Sequence, residues 1–186
     1  VWQKWMLEQI MQPQHEPSDP FWSAPTPQLI GSAYLYLAPV AYSTACSQWV
    51  PILNYRGEKL GELRVHLTPT KPDFKTALPA TDNPDSHLGK PLNFRLTIEQ
   101  ARGLMDCPNK NVRVEYTFSN EEGKRVTPPA QGKQFDPKFA ETHDFTIAKV
   151  SERDLTYLCK DAICFEVWGE IDDVEEADVA EAIAME

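Results

Sequence analysis

What this chain lacks excludes several kinds of chemistry. It has four cysteines, Cys46, Cys107, Cys159 and Cys164, and no Cys-x-x-Cys pair. A disulfide scaffold or a structural zinc site needs its thiols, or thiols and imidazoles, at short spacing. Four reduced thiols of an intracellular protein are expected instead. The eight glycines never fall in a Gly-x-Gly, so the glycine-rich loop that cradles nucleotide phosphates is missing. The four histidines, His15, His66, His87 and His143, are scattered, and no nucleophile elbow accompanies them. Acyl-transfer catalysis needs a nucleophile, a base and an orienting acid that converge. His66 falls on the polar phase of a strand and His143 on the inward phase, where a hydrogen-bonded core histidine is expected. No apolar run approaches the ~20 residues of a membrane span. The first eleven residues are amphipathic and interrupted by Gln, Lys and Glu, unlike a secretory signal. A chain that opens within a helical pattern and without Met is expected to be a piece of a longer protein.

Positive charge is also scarce. Eighteen Lys and Arg stand against 28 Asp and Glu, a formal charge of -10. A protein that tracks nucleic-acid phosphates needs a cationic face, so nucleic acid is not an expected partner. The acidity is uneven: residues 170–186 hold eight acids and no base. The remainder is close to neutral.

The patterns that are present predict a mainly β chain with few helices. Trp2, Trp5 or Met6, and Gln9 or Ile10 recur at helical spacing, so residues 1–12 read as a short amphipathic helix that Pro13 stops. Residues 13–28 form a proline-rich arm in which Phe21 and Trp22 favour contact with a surface. Period-two alternation begins at Leu29. Residues 29–69 read as a small antiparallel β unit, with a turn at Tyr55-Arg56-Gly57-Glu58. Residues 70–91 carry prolines among polar residues and read as a linker. Residues 92–169 alternate again in short strands separated by turns, which predicts an antiparallel β-sandwich. One helix interrupts it from Ser151 to Lys160, with Ser151 and Asp154 in capping-box spacing. Residues 170–186 read as an acidic tail or a weak helix.

Within the sandwich, Leu96-Thr97-Ile98-Glu99-Gln100-Ala101-Arg102-Gly103-Leu104 resembles the first strand of C2 domains. Asp136-Pro137-Lys138-Phe139-Ala140-Glu141 resembles their Asn-Pro-x-Trp-Asn-Glu signature. Calcium-binding members place acids before the second Val-x-Val strand and after the last one. Here those places hold Asn109, Lys110 and Asn111, then Gly169 and Ile171, while Asp106, Asp172 and Asp173 are displaced. Calcium needs several converging carboxylate oxygens, so no metal or other cofactor is expected. Arg95, Arg113, Lys124, Arg125, Lys133 and Lys138 are the candidates for a basic, lipid-facing surface. They are interleaved with acids, and the acidic tail repels anionic lipid.

A larger resemblance covers roughly residues 19–169. Its first block is Asp19-Pro20-Phe21-Trp22, then Leu29-Ile30-Gly31-Ser32-Ala33-Tyr34-Leu35, then Tyr55-Arg56-Gly57-Glu58-Lys59-Leu60-Gly61-Glu62-Leu63. Its second runs from Phe94-Arg95-Leu96-Thr97-Ile98-Glu99-Gln100-Ala101-Arg102-Gly103-Leu104 to Phe165-Glu166-Val167-Trp168-Gly169. Both resemble, in order, the conserved non-motor region of the kinesin-3 class of microtubule motors. The short linker points to the compact ciliary subgroup of that class. The resemblance implies that residues 1–12 end a stalk helix and that this piece is not an enzyme. It implies a cytoplasmic, cytoskeleton-associated protein, with the cilium as the narrower location. The expected partners are its own motor domain, held inactive, and a cargo or adaptor protein; a C2-type membrane attachment is the alternative. Trp2, Trp5, Phe21 and Trp22, with the acids Asp172, Asp173, Glu175 and Glu176, are the expected contact residues, since exposed aromatics anchor interfaces and an acidic tail suits a basic partner face.

Overall fold

The computed structural model describes residues 26–105, 107–119 and 123–171. The expected helix at 1–12, most of the arm and the acidic stretch from 172 onward lie outside the described residues. The described chain is mainly β, as the alternation requires. Its strands are β1 (Gln28–Tyr36), β2 (Cys46–Leu53), β3 (Lys59–Thr70), β4 (Leu92–Arg102), β5 (Lys110–Tyr116), β6 (Arg125–Val126), β7 (Ala130–Lys133), β8 (Lys138–Ile147) and β9 (Ala162–Glu170). Two short helices accompany them among the described residues, α1 (Ala38–Ala41) and α2 (Glu152–Lys160), with a single 3-10 turn at Pro84–His87.

All nine strands join one antiparallel sheet in the order β6-β5-β9-β1-β2-β3-β4-β8, with β7 also on β5. The stretches expected as separate units at 29–69 and 92–169 therefore share a sheet. β1 pairs with β9 from Gln28–Gly169 to Tyr36–Ala162. β3 pairs with β4 from Glu62–Arg102 to Thr70–Asn93. β1 meets β2 in register at a single position, Ser32 with Leu53. Its long partner is thus a strand more than a hundred residues away in sequence.

The sheet curls, and its concave face is the core. The inward phases are Leu63, Val65 and Leu67 on β3, Phe94, Leu96 and Ile98 on β4, Val112 and Val114 on β5, and Ile163, Phe165 and Val167 on β9, all essentially inaccessible. Aromatic rings join neighbouring strands, and Phe118 reaches across the curl. Phe94 stacks on Phe145 with ring centres 5.0 Å apart. Phe118, just past β5, meets both rings, at 5.2 and 4.9 Å. Tyr116 packs on Phe165 at 5.2 Å. Such pairs add specific ring–ring attraction to the burial of area.

Helix α2 covers one end of the core with Leu155 and Leu158. Its start follows the expected capping box: the Ser151 hydroxyl accepts from the Asp154 N–H at 3.2 Å, and Asp154 Oδ2 accepts from the Ser151 N–H at 2.9 Å. The Ser151 hydroxyl, which donates to Asp154 Oδ2 at 2.6 Å, and then the Ser151 N–H hold the Asp154 carboxyl below the usual carboxylate range. Ser151→Ala is expected to lower stability by about 1 kcal/mol, read from a urea melt, because two orphan N–H groups lose their acceptors or geometry together.

Residues 70–91, expected as a linker, are fastened to the body. Leu78 N–H donates to the Pro69 carbonyl, Thr81 N–H to Tyr42, and Gly89 and Val150 exchange bonds through Lys90. Asp73 accepts from the N–H groups of Lys75 and Thr76 and from the Thr76 hydroxyl, which lowers its pKa to about 2, the Thr76 backbone bond first. Near the end of the segment, His87 Nε2 lies 3.0 Å from the hydroxyl of buried Ser43. Burial, then the charge of Lys90, pushes the His87 pKa below its ordinary 6.5. The folded state therefore prefers the neutral ring, and the unfolded chain takes up the proton first as pH falls. Stability is expected to be complete above pH ~6.5, to decline as pH drops from there through the lower folded pKa, and then to level off. Thermal melts between pH 7.5 and 5 should show this decline, and His87→Gln should remove most of it.

Candidate interaction surface

The strand register writes out the convex face of β2, β3, β4 and β8 row by row. Pro51, Glu62 and Arg102 form one row, and Trp49, Arg64 and Gln100 the next. Ser47, His66, Thr97 and Thr142 follow, then Thr68, Arg95 and Asp144. A break in pairing between Ile98 and Gln100 leaves Glu99 between rows. These rows form a connected charge network. Glu62 bonds Lys59 at 2.6 Å and Arg102 Nε at 2.7 Å, and Lys59 first, then Arg102, holds its carboxyl below the ordinary range. Glu99 lies 2.6 Å from His66 Nε2 and 3.0 Å from Arg64 Nε; the hydrogen bond to His66 does most to lower its pKa. Trp49 lies beneath two cations, with the Arg102 guanidinium 3.9 Å and the Arg64 guanidinium 5.4 Å from its ring centre. Arg and Trp stacked in this way are the residue types that most often dominate binding energy at interfaces.

The same register defines one end of the sheet. β1 begins there and β9 ends there, because Gln28 faces Gly169. The β2–β3 turn, the β4–β5 connection and the β7–β8 connection converge on that end. Asn54 organises the turn, its Oδ1 accepting from the N–H groups of Arg56 and Glu58 at 2.9 Å each. The two connections bond to each other: Leu104 N–H donates to the Phe135 carbonyl at 3.0 Å, and Gln134 N–H to the Asn109 carbonyl at 2.9 Å. Gly103, at φ 76°, donates its N–H to Asp136 Oδ1 at 2.8 Å. Beside them lies a cavity of about 350 Å³ between Lys59, Glu62, Arg102 and Asp136. Tyr55, Met105 and Phe135 are 88, 69 and 49% exposed at this end. Exposed large apolar residues at one end of a sheet are a recognised mark of an interaction site.

The positions where calcium ligands would stand, and where none was expected, lie at the same end and serve the loops. Asn109 is buried and donates its amide to the Leu104 carbonyl at 3.0 Å. Asn111 donates to Glu170 at 2.7 Å and accepts from the Gly132 N–H at 3.2 Å. Among the described residues, no group of three or more His, Cys, Asp or Glu is placed to hold a metal ion. Asp106, Asp172 and Asp173 lie outside the described residues.

Most of the candidate basic residues are engaged. Arg95 makes a bidentate pair with Asp144, at 2.7 and 2.9 Å. Arg113 reaches Glu115 at 3.0 Å. Glu115 and Glu166 face each other across β5 and β9, and Lys124 lies 3.5 and 2.6 Å from them, which offsets the repulsion between like charges. Arg125 stacks on Phe145 and lies 3.4 Å from His143 Nδ1. His143 is on the concave side and also packs on the Tyr116 ring at 5.9 Å.

Trp2, Trp5, Phe21, Trp22, Asp172, Asp173, Glu175 and Glu176, the contact residues expected from the sequence, all lie outside the described residues. The Trp49–Arg64–Arg102 stack and the Met105–Phe135 tips were not expected as a site. Trp49 stood at the edge of a predicted strand, and its cations lay on two other strands, so their union required the register. Exposed Met105, following Gly103-Leu104, was the one local signal.

Comparison with known proteins gives the surface a context. The chain is similar to part of several kinesin-like proteins. It is 26% identical over 156 residues to the kinesin-like protein KIF28 of Mus musculus, covering 81% of this chain and 15% of that protein. The kinesin-like protein KIF28P of Homo sapiens matches at the same identity, over 16% of its length. The kinesin-like protein KIF13A of Mus musculus matches at 26% over 179 residues, 10% of its length. The chain thus corresponds to a small part of each relative. No protein-family model matches the chain.

Proposed function

We propose that this chain is a non-motor tail region of a kinesin-3-like microtubule motor, and that it acts by binding and not by catalysis. The observation that carries this reading is the similarity over 81% of the chain to a 10–16% portion of kinesin-like proteins. The chain also lacks any glycine-rich phosphate loop. In this reading the region binds the inactive conformation of its own motor domain better than the active one. It shifts that equilibrium by the difference in affinity. A cargo or adaptor protein that takes the same surface releases the motor. The protein works in the cytoplasm along microtubules, with the cilium as the narrower location.

The test is the microtubule-stimulated ATPase of the parent's isolated motor, measured with and without this chain in trans across a salt series. Inhibition that fades with salt is the expected result, since a charged interface is screened within about 8–10 Å at 0.1–0.15 M salt. Unchanged ATPase at high micromolar chain would overturn autoinhibition in trans. A second reading, a C2-type attachment to lipid, has the exposed Tyr55, Met105 and Phe135 in its favour. Against it stand the acids that neutralise Arg95, Arg113 and Lys124. Co-sedimentation with phosphatidylserine vesicles separates the two.

A further inference from the structure

We propose that the apolar end of the sheet, with Met105 and Phe135 on its bonded connections and Tyr55 in the β2–β3 turn at the same end, is the seat for the chain's own N-terminal apolar stripe, Trp2, Trp5 and Ile10. This inference is independent of the kinesin reading.

Four observations carry it. First, the seat is held in shape before anything docks. The tips project from two connections bonded to each other at Leu104–Phe135 and Gln134–Asn109, and locked at Gly103 by Asp136. A backbone already bonded in place needs little further ordering on binding, so only the side chains are immobilised. Second, the chain enters at that end. Gln28 pairs with Gly169, and Gly169 packs directly against Pro108 of the β4–β5 connection. Third, the length suffices. Thirteen residues, 13–25, lie between the expected helix and the described chain. Extended at ~3.1 Å per residue they reach about 40 Å, whereas the three strand steps from β1 to β4 span roughly 15 Å. A tether of this size supplies an effective concentration in the millimolar range. Fourth, the stripe needs cover. A helix with one apolar face draws most of its stability from packing that face.

The experiment uses the whole 186-residue chain with the photoreactive residue p-benzoylphenylalanine at position 105 or 135, and at 36 as a control at the opposite end of β1. Cross-links from 105 and 135 that map to residues 1–12 of the same chain, absent from position 36, are the expected result. Cross-links to residues 1–12 that appear only in a covalent dimer would overturn the proposal in favour of a second copy. Absence of any cross-link to 1–12 would overturn it outright. Trp2→Ala with Trp5→Ala provides a second measurement. It should speed amide exchange in peptides covering 103–109 and 134–137 by about tenfold, and leave β3 unchanged. Unchanged exchange would count against the seat. Phosphatidylserine vesicles give the last arm: binding lost in Met105→Asp but unaffected by the tryptophan pair would show that the tips face lipid instead.

Discussion

Gly169→Ala is expected to destabilise the fold by about 3 kcal/mol or more, at the upper end of overpacking costs. A Cβ at this position would overlap the Pro108 carbonyl oxygen, and would lie 2.9 Å from the carbonyl carbon and 3.1 Å from Ile30 Cδ1. Those first two atoms are backbone, in a connection tied at Leu104 and Asn109, so no side-chain rotation relieves the clash. Either β9 leaves β5 at its end or the β4–β5 connection shifts. Gly31→Ala makes a parallel case: its Cβ would overlap the Leu53 carbonyl oxygen, where β1 and β2 touch at their only paired position. Guanidinium melts of the two variants should show lowered midpoints with little change in slope. A melt indistinguishable from the parent for Gly169→Ala would mean that the Pro108 connection is free to move, and would weaken the argument for a preformed apolar seat beside it.

Phe94→Ala is expected to cost about 3–5 kcal/mol, the range for removing a buried aromatic ring. Phe94 is completely buried. It contacts Phe145 on the neighbouring strand and Phe118 from the far side of the curl, so its removal opens a cavity where the two halves of the sheet meet. The near-UV circular dichroism of the aromatic cluster should fall as stability does. Phe94→Leu, which keeps most of the volume, should lose far less. A loss for Phe94→Ala below about 1 kcal/mol would show that the cavity collapses, and that ring–ring contact does not hold the curl closed.

How much of this was legible in the chain depends on the range of the interaction concerned. The strand pattern was legible because side chains alternate faces with a period of two: Leu63, Val65 and Leu67 announced an inward phase, and Arg64 and His66 an outward one. The start of α2 was legible because a capping box spans only four residues, Ser151 to Asp154. Helix α1 and the short strands β6 and β7 were not foreseen. Four residues after β1, two at Arg125–Val126 and four at Ala130–Lys133 offer too little periodicity to register.

The joining of residues 29–69 and 92–169 into one sheet was equally hidden. Pairing of β1 with β9 connects Tyr34 to Cys164, and no local rule reports a partner 130 residues away. Proline and polar content marked 70–91 as a linker, but its hydrogen bonds to Tyr42 and Val150 depend on where the rest of the chain has gone. For the candidate surface, composition excluded nucleotide loops and a cationic nucleic-acid face. It did not show that Arg64 and Arg102 lie over Trp49, or that Met105 and Phe135 share one end.

The sequence by itself determined the local quantities: face alternation, capping, charge balance and the missing phosphate loop, each set by residues within a turn or strand of one another. Only the tertiary structure decided which strands are neighbours, why Gly31 and Gly169 have no room for a side chain, and which exposed aromatics and cations meet. Those are set by contacts between segments far apart in the chain, where burial of a common core selects the partner.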